Sequence, residues 1–182
     1  MARLPASYRR PLSIWRRLDI AARWLFPSVS LLIGLVVLGL PFGLPGQAAL
    51  RPAFALGCVF FWSIYRPASL PAPVTALIGL ALDLLGFTPP GLWAVLLLLV
   101  QWLTIALRRQ LVPMKFMLTW AVFSGLALVV VVAAWGGQAV LTLNLLPVWP
   151  SLASLVAAAA LYPALAGLLI RAHRGPAAVE LA

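Results

Sequence analysis

Asp83 is the residue of this chain whose type and setting bear most directly on chemistry. It is one of only three acids in 182 residues and sits inside the apolar run Leu77-Ile-Gly-Leu-Ala-Leu-Asp83-Leu-Leu-Gly86. An aspartate near the middle of a bilayer costs roughly 2.5 to 3.5 kcal/mol, so such a group faces protein or water and is a functional candidate by default. Three roles are open to it. It can accept hydrogen bonds from Thr88 or from the amides that open the next helix, it can pair with a cation or donor of a partner within the membrane, or it can belong to a proton or ion relay. A relay needs further ionisable groups along a path, and the deep polar residues besides Asp83 are only Gln101 and its neighbour Thr104.

Other constellations are missing. There is no carboxylate pair, no Ser/His/Asp arrangement and no phosphate-binding glycine loop, so catalysis is not expected. The single cysteine, Cys58, lies in an apolar run and reads as a small packing residue. The single histidine, His173, has no second ligand nearby, so no metal and no cofactor are expected.

The elements that must position Asp83 are membrane helices. Hydrophobic residues make up 64% of the chain and charged residues 9%, with a mean hydropathy of +1.09. That leaves too little polar surface for a soluble globule, and at roughly 20 residues per span the length accommodates about five to seven spans and little else. The expected fold is all-α with about six transmembrane helices. Residues 1–24 read as a basic cytoplasmic segment, 25–171 as the membrane domain and 172–182 as a cytoplasmic tail. Within the first segment, Ile14, Leu18, Ala21 and Leu25 recur at helical spacing among Arg16, Arg17 and Arg23, which predicts an interfacial helix over Ser13 to Leu25. Gly46-Gln-Ala48 is a passable small-x-small cleavage site, but the preceding basic stretch is long for a signal peptide and reads as an anchor.

Six apolar segments follow, at Leu25 to Gly43, Pro52 to Tyr65, Pro71 to Phe87, Pro90 to Leu107, Pro113 to Trp135 and Pro147 to Ile170. Proline opens five of them, as expected for a residue whose fixed φ and missing amide suit a first helical turn. In this register twelve basic residues fall on one side and Arg51 alone on the other. This positive-inside split puts both termini in the cytoplasm. The second and third segments are short, about 22 to 26 Å by helical rise, and read either as tilted spans or as a re-entrant hairpin covered by longer neighbours.

The third segment carries small residues beside its acid. Ala72, Ala76, Gly79, Asp83 and Gly86 fall on one narrow face, the pattern of close helix contact in lipid. The last segment is also rich in small residues, and the Leu-rich fourth segment is expected to face lipid. The net charge of +10 belongs to short loops and tails, where anionic lipids account for it, and nucleic acid is not expected.

The block Trp62-Ser-Ile-Tyr65-Arg66-Pro67, a Pro-rich link, Gly79-Leu-Ala-Leu-Asp83-Leu-Leu-Gly86 and then Pro90-Gly91 resembles the MreD family of rod shape-determining proteins of Gram-negative bacteria. That family has a Gly-Leu-Leu-x-Asp segment followed by Pro-Leu-Gly. Here the leucine between Pro90 and Gly91 is absent. The resemblance implies a non-catalytic scaffold of the bacterial inner membrane, associated with MreC, MreB, RodA and its class B transpeptidase. It also implies a fold like that of the substrate-binding components of energy-coupling-factor vitamin transporters. On this reading Asp83, Gly79 and Gly86 hold helices three and four together, Pro90 and Gly91 form the turn between them, and Tyr65, Arg66 and Pro67 fix the opposite turn.

The alternative, a transporter's substrate-binding component, requires an outer pocket, for which Trp93, Gln138, Asn144 and Trp149 are the candidate polar and aromatic walls. Because Trp135 to Pro150 holds no charged residue, a ligand held by that loop would be neutral or bound by backbone groups. Ser30 to Gly34 would then be a docking face for the transport partner.

Overall fold

The computed structural model describes residues 14–40, 43, 46–144 and 147–178, with side chains within 27–171. Arg3, Arg9, Arg10 and the last four residues lie outside it, as do the side chains of Arg16, Arg17, Asp19, Arg23, His173 and Arg174. The described residues form six helices and one 3-10 turn. The helices are α1 (Ile14–Gly39), α2 (Gln47–Tyr65), α3 (Ala72–Gly86), α4 (Leu92–Leu111), α5 (Phe116–Thr142) and α6 (Trp149–Ala178), and the turn is Pro67–Ser69. Four of them, α2, α4, α5 and α6, are long and apolar enough to cross a membrane, whereas α3 and the apolar part of α1, Pro27–Gly39, are shorter. This is a membrane-embedded helical bundle.

Several boundaries depart from the proline rule. The predicted interfacial helix and first span are one continuous helix, with Pro27 inside it. Helix α2 starts five residues before Pro52, at a Gly46 in the left-handed conformation (φ 82°), and Pro52 stands in its second turn. That proline removes only the amide that would have bonded the Ala48 carbonyl, a loss confined to the fraying end of the helix. Its 19 residues give about 28 Å, so the second segment is not short. Helix α3 is short, 15 residues or about 22 Å. Pro90, Pro113 and Pro147 precede their helices by two or three residues, where they end one turn and set up the next.

Helix α2 is the core element, with 61% of its apolar window buried against 17% for α6. Phe60 on α2, Phe123 on α5 and Tyr162 on α6 bring three rings together, with Phe123 stacked on Tyr162 at a centroid distance of 4.3 Å and Phe60 5.2 Å from Phe123. Close aromatic pairs of this kind contribute roughly 0.5 to 1.5 kcal/mol beyond their area. The fourth helix is not the lipid face expected of it. It packs along α2 and α3, burying Leu96, Leu97, Val100, Gln101 and Thr104, while Val95, Leu99, Trp102, Leu103 and Ile105 are exposed. Leucine richness could not separate these faces because both are apolar. On α6 the small residues divide, Ala158 and Ala166 buried and Ala164 and Gly167 exposed.

Helix α3 runs from the turn beside Arg66 to the opposite end of the bundle, where the Leu85 carbonyl meets Arg51. It turns Leu77, Leu80 and Leu84 outward, so it is not a covered hairpin. Its inner face lies almost in contact with α4: a Cβ at Gly79 would stand 2.3 Å from the Ala94 Cα and 2.5 Å from its nitrogen. Gly34 on α1 is also in close contact, since a Cβ there would stand 2.2 Å from the tip of the Phe54 ring of α2, although a side chain can give way where the α4 backbone at Gly79 cannot. The predicted docking face from Ser30 to Gly34 is therefore occupied within the chain at Gly34.

Gly79→Val should separate α3 from α4 and destabilise the purified protein by about 1 to 3 kcal/mol, the usual range for overpacking. Gly125→Val, at a site with nothing within 4 Å, is the control. Thermal unfolding in detergent checks this, and equal curves for the two variants would refute the close contact.

Candidate functional site

Asp83 lies in the last turn of α3 and is 1% exposed. Its burial follows from the inward side of α3 facing the first turn of α4. Oδ1 accepts from the Thr88 hydroxyl at 2.7 Å and from the Trp93 amide at 3.1 Å. Oδ2 accepts from the Gly91 amide at 2.8 Å. The backbone carbonyl of the same residue accepts from the Thr88 amide at 3.0 Å, closing the end of α3. One side chain thereby joins the end of one helix, the connecting turn and the start of the next.

The sequence of the turn accounts for this arrangement. Phe87 adopts a left-handed conformation (φ 52°) that ends α3, and Pro89 and Pro90 prevent the helix from resuming at once. Gly91 takes φ 97°, a value that disfavours any residue with a Cβ, and so turns its amide toward the carboxylate. No side chain within the turn caps α4. Asp83, from the neighbouring helix, satisfies amides that would otherwise be orphaned, and its negative charge lies against the positive end of the α4 dipole.

A second polar group does the converse work at the same end of the bundle. Arg51 Nε donates to the Leu38 carbonyl at 3.0 Å, Nη2 to Gly39 at 3.4 Å and Nη1 to Leu85 at 3.0 Å. These carbonyls end α1 and α3, so one guanidinium caps two negative helix ends. Gln47, one turn earlier on α2, donates to Leu38 at 3.0 Å and also to Leu40.

The opposite end is held differently. Tyr65, Arg66 and Pro67 form the link from α2 into the 3-10 turn, where the Arg66 amide donates to Trp62 at 2.8 Å and the Tyr65 ring lies 4.6 Å from Phe61. Arg108 Nε donates to the Ile64 carbonyl at 2.6 Å, capping α2 from α4. Gln101 Nε2 donates to the Leu70 carbonyl at 2.6 Å. The deep glutamine is thus spent on the loop leading into α3.

The residues singled out in the sequence therefore fall into two places. Asp83, Gly79 and Gly91 meet at the α3–α4 junction, Pro90 stands exposed beside it, and Tyr65, Arg66 and Pro67 lie at the far end. Gly86 is not part of the α3–α4 contact: it is exposed, and a Cβ there would meet only the Thr88 side chain, at 3.5 Å. Sequence reasoning missed Arg51 and Gln47 as helix caps. Their signal was an i, i+4 polar pair, hidden because the helix was expected to begin at Pro52.

Beside the junction, at the Arg51 end, is a cavity of about 480 Å³ between α2, α3, α4, α5 and α6. Trp93, Gln138 and Trp149 line it as the sequence proposed, but Asn144 does not, and Arg51 and Trp135 do. Among the described residues no group of three or more His, Cys, Asp or Glu side chains is placed to hold a metal. No protein-family model, curated protein or solved structure matches this chain.

Asp83→Leu leaves the Gly91 and Trp93 amides and the Thr88 hydroxyl without their acceptor and should cost about 3 kcal/mol or more, whereas Asp83→Asn keeps one acceptor oxygen and should cost about 1 to 2 kcal/mol. Unfolding of both variants in detergent measures the difference. Equal, near-zero losses would mean that the carboxylate's bonds contribute nothing to the fold.

Proposed function

We propose that this protein is a non-catalytic scaffold of the bacterial inner membrane, an MreD-like component of the cell-elongation machinery that joins MreC, the MreB filament, RodA and its class B transpeptidase. One observation carries the reading. The block that resembles the family contains the only acid whose side chain is described, and that acid is fully engaged in fixing α3 against α4, with 1% of its surface exposed. A carboxylate so engaged serves a rigid shape, the property a scaffold needs, rather than a reacting centre. The scaffold has both termini in the cytoplasm, a reading supported by Arg66, Arg108, Arg109 and Lys115 gathering at one end of the bundle and Arg51 at the other. Anionic lipids of the inner leaflet would meet the basic end.

The cavity favours a second reading, the substrate-binding component of a small-molecule transporter. Its volume lies within the range of ligand pockets, and its walls are mostly apolar with a few polar groups.

Mass spectrometry of proteins co-purifying with the C-terminally tagged chain, extracted from native membranes in mild detergent, separates the two. Recovery of MreC, RodA or the transpeptidase is the expected outcome. Recovery of transport ATPase subunits instead would overturn the scaffold reading.

A further inference from the structure

The cavity at the Arg51 end has a chemistry of its own. Its inner wall is apolar and buried, formed by Ala49, Leu82, Trp93, Val131 and Ala134, while Trp149, 79% exposed, stands at the mouth. Among the described residues no carboxylate lines it. Asp83 is the neighbour of Leu82 in sequence, but its oxygens are held by Thr88, Gly91 and Trp93 and it forms no part of the wall. Arg51 does, and the three groups it bonds are neutral carbonyls. A guanidinium has five N–H donors, so two remain beyond those three bonds. The ends of α1 and α3 offset its charge only by partial charges, and the apolar walls weaken screening of what is left.

We propose that this cavity binds an anionic amphiphile, with a phosphate or carboxylate group against Arg51 and an apolar body along Leu82, Val131 and Ala134 beneath the indole rings of Trp93 and Trp149. The apolar walls give the body its site, and the lone cation selects the headgroup. The stretch from Trp135 to Pro150, which the sequence reads as an outer loop, is the end of α5, a short link and the start of α6; it is uncharged, so the preference for an anion comes entirely from α2. The proposal does not depend on the scaffold reading: failure to recover elongation partners would leave it untouched, and it requires no transport.

The test uses the purified full chain in a neutral detergent, with short-chain phosphatidylglycerol, phosphatidylcholine of the same chain length, and glycerol phosphate as probes. Native mass spectrometry reads the retained lipid and thermal unfolding reads the shift. Phosphatidylglycerol should be retained roughly tenfold over phosphatidylcholine, the discrimination expected of one charge-assisted contact, and should raise the unfolding temperature. Ala153→Trp fills the exposed side of the cavity without touching a helix cap and should abolish the preference. Arg51→Gln should abolish it too. Because Arg51 also caps α1 and α3 and its loss can unfold the chain, Ala153→Trp is the deciding variant. Equal retention of the two lipids, a preference that survives Ala153→Trp, or displacement of the lipid by glycerol phosphate at equal concentration would each overturn the proposal.

Discussion

A helix that ends within or near lipid must find partners for its terminal amides and carbonyls, because there is little water to supply them. This requirement organises the Arg51 end of the bundle. Three of the helix ends that meet there are held by one acid and one base, with complementary assignments. The negative side chain holds the amino end of α4 and the positive one holds the carboxyl ends of α1 and α3. Neither group is bonded in the manner of a simple ion pair. Each is compensated by several neutral backbone dipoles, and the buried charge thereby acquires partners without relying on a distant counter-ion.

The close approach of α3 and α4 is the packing side of the same arrangement. Gly79 brings the two backbones together one turn before Asp83, and it is this proximity that lets so short a side chain reach the Gly91 and Trp93 amides. Trp93 then receives its position from two directions, its amide held by Asp83 and its ring directed into the cavity wall. The junction and the cavity are thus one construction, and the residue that secures the fold also places part of the binding surface.

Much of this was legible in the sequence, for physical reasons that can be named. An acid in an apolar run must be compensated, and Gly79 one turn before it marks where the compensating backbone approaches, although the rest of the predicted small-residue stripe is not in that contact: Ala72 and Gly86 are exposed and Ala76 is half-buried. The Gly-Phe-Thr-Pro-Pro-Gly turn contains the residues that end one helix and free the amides of the next. What was not legible depended on contacts between distant segments. Pro52 resembles a helix start, yet Gly46 initiates α2 earlier, and this one difference concealed both Gln47 and Arg51. Helix α2 is no more apolar than the helices around it, and the inward face of α4 is no more apolar than its outward one, so hydrophobicity could not rank α2 as the core or assign α4's buried side. Asn144 is near the other pocket residues in sequence, but its side chain donates to the Thr142 carbonyl and does not line the cavity.

The unequal lengths of the helices have a mechanical consequence. Helix α3 presents Leu77, Leu80 and Leu84 to its surroundings over a rod of only 15 residues, whereas α5 extends for 27. The outward apolar surface of α3 is therefore shorter than that of α5, and a bilayer that meets a belt shorter than its own hydrocarbon core thins there or tilts the inclusion. Such an inclusion stores elastic energy in the surrounding bilayer.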